Sequence, residues 1–147
     1  MKLLAIVGPT ATGKSELAVR AAQDLHGEII SCDSMQLYRG LDIGTGKLPK
    51  ERRKQIHHHM LDIINVGEEY SVAQYAAEAR RIIRDIHKQG KLPILVGGTG
   101  LYYQSLVDGY NFFPLEKKAL IRNKWTALIK EKGLEHAYNK LAEIDPF

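Results

Sequence analysis

The fold of this chain is constrained most strongly by a glycine-rich segment of eight residues near its N-terminus. The segment matches the pattern G-x-x-x-x-G-K-[ST], with Gly8, Pro9, Thr10, Ala11, Thr12, Gly13, Lys14 and Ser15 in its eight positions. An apolar run at 3–7 precedes it, and apolar residues at helical spacing follow it. In this context the pattern predicts a P-loop, a phosphate-binding loop between a buried strand and a helix.

Three groups in a P-loop attract phosphate. The backbone N–H groups converge on phosphate oxygens, the helix N-terminus carries partial positive charge, and Lys14 adds a full positive charge. The Ser15 hydroxyl is the expected ligand of a Mg²⁺ ion. The loop does not name the reaction, because ATP-binding and other nucleotide-binding proteins, kinases and transferases all use it.

Asp33 is the acidic residue expected beside the P-loop. It follows the apolar run at 28–32, and the carboxyl ends of parallel strands meet at one edge of a sheet. A carboxylate is ionised at neutral pH and accepts a proton or a substrate hydrogen bond. An Asp after a strand also caps turns, so both interpretations stay open. The run at 92–96 ends in Gly97 and Gly98 without an acid, which does not favour nucleotide hydrolysis as the main activity.

The apolar runs and helical spacings together predict an α/β fold. The expected strands are 3–7, 28–32 and 92–96, and the expected helices are 14–26 with Gly27 as cap, 72–89 with Ser71 as N-cap, and a short helix containing 101–107. Strands joined by right-handed helical crossovers give a parallel sheet with helices on both faces. The fold class is therefore a P-loop NTPase-like parallel sheet.

The pattern changes after Pro114. Two charged helices are expected at 116–132 and 134–144, and this region shows no strand signal. We therefore divide the chain into an incomplete P-loop core, 1–114, and the start of a helical insertion, 115–147.

The composition is that of an ordinary globular protein, with 44% hydrophobic and 26% charged residues. The single cysteine, Cys32, cannot form a disulfide within the chain, and no apolar run reaches the length of about 18 residues that spans a bilayer. We expect a cytoplasmic protein that does not enter the membrane.

The net charge of +4 lies within one segment, 47–59. Its basic residues are Lys47, Lys50, Arg52, Arg53 and Lys54, against the single acid Glu51. Such a patch suits a nucleic-acid phosphate backbone, but a solvated loop explains the charge equally well. The three histidines at 57–59 are adjacent in sequence, so we do not expect them to converge on one metal ion.

Several further motifs stand in a recognisable order. They are the P-loop at 8–15, the run DSMQLYRGLDIGTGK at 33–47, HHMLD at 58–62, YSV at 70–72 and GGTGLY at 97–102. Together they resemble the tRNA dimethylallyltransferases, and the resemblance extends over about 1–124. Its specificity comes from the co-occurrence of the motifs in order.

The resemblance implies a reaction and its participants. The enzyme would transfer a dimethylallyl group from dimethylallyl diphosphate to the exocyclic amine of an adenosine beside the tRNA anticodon, releasing diphosphate. The P-loop would bind the donor diphosphate, with Mg²⁺ at Ser15. The implied catalytic residues are Asp33 as general base, Lys14 and Thr99, and the implied tRNA-binding residues are Asp33, Ser34, Met35, Gln36, Thr99 and Arg122. Thr99 also stands where a helix cap would.

Two other functions stay open at this point. A small-molecule P-loop kinase would use Asp33 to activate an acceptor hydroxyl. Members of the family continue well beyond the length of this chain, so we expect an N-terminal fragment, which could bind diphosphate or RNA without turnover. No obligate protein partner is indicated.

Overall fold

The computed structural model describes residues 2–110, 112 and 115–146, and of 115–118 it describes the backbone alone. The chain divides into two compact units, Met1–Tyr110 and Asn111–Phe147. The predicted domain boundary at Pro114 lies outside the described residues.

The first unit contains one sheet with the strand order β1-β4-β2-β3, and all of its pairings are parallel. Its elements in chain order are β1 (Leu4–Val7), α1 (Lys14–Asp24), β2 (Gly27–Ser31), α2 (Lys50–Arg53), β3 (His58–His59), α3 (Val72–Lys88), β4 (Leu92–Gly97) and α4 (Gly100–Val107). The expected α/β fold is confirmed. The expectation of three strands is wrong, since the described sheet has four. The sequence did not predict β3, because this strand has only two residues and carries no periodic signal.

Helices cover both faces of the sheet, as expected. On one face Ala18, Val19 and Ala22 of α1 form a buried cluster with Ile29 and Ile94, which are register partners in β2 and β4. On the other face the next register pair, Ile30 and Leu95, belongs to a cluster that includes apolar residues of α3 and Tyr102 of α4. Burial on both sides is typical of parallel strands and explains their continuous apolar runs.

The junction between α1 and β2 differs from the prediction. The helix ends at Asp24, and the N–H of Leu25 donates to the carbonyl of Ala21. Gly27 is not a helix cap, because it is the first residue of β2. A Cβ atom at Gly27 would lie 2.7 Å from the carbonyl oxygen of Leu92, so the glycine allows β2 and β4 to approach.

The N-terminus of α3 follows the prediction closely. The Ser71 hydroxyl accepts from the Gln74 N–H at 3.2 Å, and the Gln74 side chain accepts from the Ser71 N–H at 2.8 Å. This reciprocal capping box satisfies N–H groups that the helix cannot pair internally. The helix starts at Val72 as predicted and ends at Lys88, one residue early.

Backbone hydrogen bonds join the carboxyl ends of three strands. The Gly8 N–H donates to the Gly97 carbonyl at 3.3 Å, and the Cys32 N–H donates to the Val96 carbonyl at 2.7 Å. The Thr99 N–H in turn donates to the Cys32 carbonyl at 3.0 Å. These bonds hold the P-loop, the segment after β2 and the end of β4 together.

The second unit is a pair of helices, α5 (Leu115–Lys132) and α6 (Leu134–Ile144), in the region where the sequence predicts helices. Gly133, with a φ of 84°, joins them. Apolar side chains of both helices, including Trp125 of α5 and Tyr138 of α6, line a common groove. Among the residues that the structure describes, no helix is long and apolar enough to cross a membrane.

We expect Gly97→Ala to destabilise the fold strongly. A Cβ atom there would lie 2.1 Å from the Cys32 carbonyl oxygen, a backbone atom that cannot move away without breaking the joined strand ends. The expected loss of unfolding free energy in urea denaturation is about 3 kcal/mol or more. Gly100→Ala is the control, because nothing lies within 4 Å of its Cβ position in α4. Equal stability of the two variants would contradict the close approach.

Candidate functional site

A cavity of about 280 Å³ lies at the carboxyl ends of the strands. Its walls come from the P-loop, from the segment after β2, from the loop that precedes α2, and from β3 and β4. The residues most relevant to chemistry are Thr10, Ala11, Thr12, Gly13, Lys14, Ser15, Asp33, Gln36, Arg53 and His58. The sequence predicted that the P-loop and Asp33 would share one edge of the sheet, and the structure brings them to one cavity.

The P-loop has the backbone conformation of a tight cradle. Ala11 and Gly13 have φ angles of 64° and 79°, in the left-handed region. The Thr12 hydroxyl donates to the Pro9 carbonyl at 3.0 Å, and the Lys14 ammonium donates to the same carbonyl and lies 3.3 Å from Thr12 Oγ1. The Lys14 charge therefore lies over the loop itself. Thr10 to Ser15 line the cavity, whereas Gly8 and Pro9 connect the loop to β1 and are not among its lining residues.

Asp33 has the turn-capping contact that the sequence left open, and it also lies at the cavity. Its Oδ1 accepts a hydrogen bond from the Met35 N–H at 3.0 Å, which closes a local turn. The same residue lines the cavity that P-loop residues also line. The turn fixes the direction of the Asp33 side chain, so its hydrogen bond to Met35 is compatible with a chemical role.

Thr99 occupies the N-cap position of α4, but its side chain does not cap the helix. Thr99 Oγ1 instead accepts from the Ser34 N–H at 3.0 Å and donates to Ser34 Oγ at 3.4 Å. The interpretation of this hydroxyl as a helix cap is therefore wrong. Thr99 joins the end of β4 to the segment that begins with Asp33.

The other implied RNA-contacting residues are distributed differently. Gln36 lines the cavity, and its amide donates to the Thr45 carbonyl at 3.0 Å. Met35 is half exposed and Ser34 is engaged by Thr99. Arg122 is exposed on α5 and belongs to the second unit.

A buried ion-pair network supports the cavity wall formed by the loop before α2. The Lys47 side chain is fully buried, and its ammonium contacts Asp62 at 2.6 Å and Asp42 at 3.3 Å. Arg53 contacts the second oxygen of Asp62 at 2.7 Å. Burial favours the neutral form of Asp62, but hydrogen bonds from Lys47 and Arg53 outweigh it and hold the pKa of this carboxyl below its ordinary value.

This network changes the interpretation of the basic segment. Lys47 and Arg53 both pair with Asp62, and Lys47 also pairs with Asp42, so the charges of these two basic residues are matched within the protein. Arg52, which is exposed, lies 3.7 Å from Glu16. Lys50 and Lys54 are exposed. The surface charge available to an anionic partner is smaller than the sequence suggested.

Sequence analysis missed three residues with unsatisfied polar atoms at the cavity. Ser31 Oγ, Arg53 Nε and His58 Nε2 are buried without a hydrogen-bond partner among the described residues, and all three side chains line the cavity. Buried polar groups normally have partners, so these atoms mark places for a polar ligand or water. The sequence alone contains no signal for His58. Its position at the cavity follows from its pairing with Ile29 of β2, which the structure reveals.

Burial lowers the pKa of His58, although its bond to the Ile56 carbonyl opposes the shift. The neutral ring donates from Nδ1 to that carbonyl at 2.8 Å. Nε2 then carries the lone pair and can accept a hydrogen bond at the cavity wall.

The three adjacent histidines do not all point the same way. Alternate residues of a strand point to the same side, so His57 and His59 meet, with ring centroids 4.2 Å apart, while His58 points to the cavity. A carboxylate oxygen of Glu28 joins them, so that ligand atoms of the three side chains lie within 4.8 Å of one another.

Comparison with known proteins identifies the family. A family model of IPP transferases matches residues 36–147. The chain belongs to the IPP transferase family. The resemblance carried by the sequence motifs is thus confirmed.

Relatives in the IPP transferase family match nearly the whole chain. The tRNA dimethylallyltransferase of Syntrophomonas wolfei is 55% identical over 145 residues, which are 99% of this chain and 47% of that protein. The tRNA dimethylallyltransferase of Caldanaerobacter subterraneus is 50% identical over 146 residues, 99% of this chain and 46% of that protein. The chain spans about half the length of these curated relatives.

Solved structures show the same fold. The full-length tRNA isopentenylpyrophosphate transferase of Bacillus halodurans is 43% identical with a TM-score of 0.74, and the match covers 99% of this chain and 48% of that one. A eukaryotic dimethylallyltransferase acting on tRNA is 34% identical with a TM-score of 0.80, covering 99% of this chain and 36% of that one.

We expect the stability of the chain to fall as the pH drops from 7.5 to 5.5, in part because of His58. A histidine whose pKa is lowered by folding contributes stability that is present above its ordinary pKa of 6.5 and is lost as the pH falls toward the lower folded value. The loss per histidine is at most about 1.4 kcal/mol per pH unit. Urea denaturation at the two pH values measures it.

His58→Gln should reduce this pH dependence without abolishing it, because burial also lowers the pKa of His59. Glu28 and Asp62 have folded pKa values below 4.5 and 3.8, so both stay ionised throughout this pH range. An unchanged pH dependence in the variant would show that His58 does not lose its proton on folding.

Proposed function

We propose that this chain carries the donor site and the general base of an enzyme that prenylates tRNA. The reaction is transfer of a dimethylallyl group from dimethylallyl diphosphate to the exocyclic amine of an adenosine next to the anticodon. The strongest support is the cavity, which is lined both by P-loop residues and by Asp33. The relatives, which are tRNA dimethylallyltransferases, support the same reaction.

The P-loop is the proposed site of the donor diphosphate. Its backbone N–H groups and the N-terminus of α1 provide partial positive charge, and Lys14 lies over the loop with a full charge. The diphosphate gains negative charge as its bond to the allylic carbon breaks. A preorganised cationic cradle stabilises that charge more in the transition state than in the bound donor.

Asp33 is the proposed general base. An adenine amine is a weak nucleophile because its lone pair is delocalised into the ring. A bond forms between this nitrogen and the allylic carbon, the bond from that carbon to the diphosphate oxygen breaks, and the nitrogen loses a proton to the Asp33 carboxylate. The turn through the Met35 N–H holds the carboxylate in place for this step.

The residues present also fit a Mg²⁺ ion at the P-loop. Ser15 lies in the first turn of α1 and lines the same cavity as Lys14 and Asp33, so a hydroxyl oxygen of the kind that Mg²⁺ prefers is available there. When bound, the ion would neutralise charge on the diphosphate.

The proposed contacts to tRNA come from both units. Asp33, Ser34, Met35, Gln36 and Thr99 lie at or beside the cavity, and the bonds of Thr99 to Ser34 give this segment a fixed conformation. In the second unit we propose Arg122. The core, 1–114, would hold donor and base, and 115–147 would begin a helical region that binds tRNA. A tRNA substrate implies a cytoplasmic protein.

The two other functions have less support. A small-molecule kinase would also place Asp33 near the P-loop, but membership in the IPP transferase family favours prenyl transfer. A chain of this length that binds diphosphate or RNA without turnover remains a separate hypothesis. Release of inorganic diphosphate that depends on tRNA supports transfer, whereas consumption of ATP would support a kinase.

We expect Lys14→Ala to weaken binding of dimethylallyl diphosphate and nearly abolish transfer, because the cradle loses its full positive charge. Calorimetry with the donor measures affinity. Lys88→Ala is the matched control, since Lys88 is an exposed lysine at the end of α3. Donor affinity equal to wild type in Lys14→Ala would remove this residue from the site.

We expect Asp33→Asn to reduce kcat by about 10²-fold or more, because the amide cannot take up the proton. The amide oxygen can still accept from the Met35 N–H, so the turn, the melting temperature and donor affinity should be preserved. Single-turnover transfer to tRNA in the full-length protein measures the effect.

Asp24→Asn, at the far end of α1, is the control for this measurement. A normal rate in a stable Asp33→Asn variant would refute the base and leave Asp33 as a turn residue. A loss of donor affinity equal to the loss of rate would assign it to donor binding.

A further inference from the structure

A second cluster of polar side chains lies at the edge of the sheet, on the opposite face from the cavity. His59 is the register partner of Ile30, which is buried on the α3 side, and Glu28 points to the same side because it stands two residues before Ile30. His57 contacts His59 edge to face. The cluster is therefore separate from the P-loop and Asp33.

The geometry of the cluster resembles a preformed ligand set. His59 Nε2 lies 2.6 Å from Oε2 of Glu28, and donor atoms of Glu28, His57 and His59 all lie within 4.8 Å of one another. Glu28 is 6% exposed, so its carboxylate is held in place, whereas His57 is exposed and leaves the cluster open to ions in solution.

We propose that Glu28, His57 and His59 form a binding site for a divalent transition-metal ion, with Zn²⁺ as the best fit. Two imidazoles and one carboxylate, with water in the fourth position, are a common zinc ligand set. Mg²⁺ prefers oxygen ligands, so the two histidines favour zinc over the ion proposed for the P-loop.

Only small side-chain movements are needed to bind the ion. Bond lengths near 2.0 Å in a tetrahedral site put the ligand atoms about 3.3 Å apart. The pair His59 and Glu28, now 2.6 Å apart, would open by less than about 1 Å, and the ligand atoms of the cluster, which lie within 4.8 Å of one another, would close by at most about 1.5 Å. The His59 proton would move from Nε2 to Nδ1, so that the Nε2 lone pair faces the ion.

Neighbouring positive charges affect the metal affinity of the site. Lys91 donates to the other carboxylate oxygen of Glu28 at 2.5 Å, which orients the carboxylate but also places a positive charge near the ion. Arg81 adds positive charge near His59, although Glu78 and Asp85 pair with it at 3.6 and 3.5 Å. Lys91 is therefore the group that most limits affinity.

Binding of the ion would stabilise the edge of the sheet at β3. Strand β3 has two residues and pairs only with β2 within the described sheet, so it makes few backbone bonds to its neighbour. An ion bridging Glu28 of β2, His59 of β3 and His57, which immediately precedes β3, would cross-link the two strands. Anything that binds the folded state alone raises its stability in proportion to the logarithm of ion concentration over Kd.

The test is a titration of the tag-free chain with Zn²⁺ in competition with a chromophoric chelator, together with Co²⁺ absorption spectra. We expect one ion per chain, a tetrahedral Co²⁺ spectrum, and a rise in melting temperature with Zn²⁺. His57→Gln should weaken binding at least about 10-fold and remove the thermal shift. Because His57 is exposed, this variant retains the fold.

His58→Gln is the matched control, because its side chain points to the cavity on the other face of the same strand. Its Zn²⁺ affinity should equal that of the wild type. Lys91→Gln keeps a hydrogen-bond donor for Glu28 but removes the charge, so it should bind Zn²⁺ more tightly. Failure of the wild type to bind, or equal loss of affinity in His57→Gln and His58→Gln, would overturn the proposal.

Discussion

The close approach of Gly97 to the backbone of Cys32 is the contact on which the rest of the structure depends. Because residue 97 has no side chain, the carboxyl ends of β4 and β2 can lie against each other, and the Cys32 carbonyl can accept from the Thr99 N–H. The Gly8 N–H donates to the Gly97 carbonyl. One residue without a Cβ atom thereby fixes the spacing between the P-loop and the segment that carries Asp33.

A second constraint acts on the opposite wall of the cavity. Lys47 is buried and pairs with Asp62 and Asp42, and Asp62 also pairs with Arg53. Breaking such a pair leaves an uncompensated charge in a place of low dielectric, which is strongly unfavourable. The network therefore fixes the loop before α2 and leaves Arg53 Nε directed at no protein partner among the described residues. Apolar packing stabilises the sheet, whereas ion pairs stabilise this wall of the cavity.

Sequence reasoning succeeded where the determinants were local. The P-loop pattern and the N-cap at Ser71 each depend on a short run of neighbouring residues, and the structure shows both elements. It failed where the determinants were distant in sequence. Gly27 allows the close approach of Leu92 and does not cap α1. The Thr99 hydroxyl bonds to Ser34 and not to the backbone of its own helix. The partners of Lys47 could not be assigned from a charge map alone.

The order of the strands has a consequence for synthesis of the chain on the ribosome. Strand β1 pairs only with β4 within the described sheet, and β2 pairs with β4 and β3, so the first two strands to emerge are not neighbours. Strand β4, which lies between β1 and β2, is the last of the four to be translated. Until residues 92–97 have left the exit tunnel, β1 has no strand partner and the phosphate loop has no fixed anchor. Such non-local pairing slows folding and leaves apolar strands exposed to chaperones during elongation.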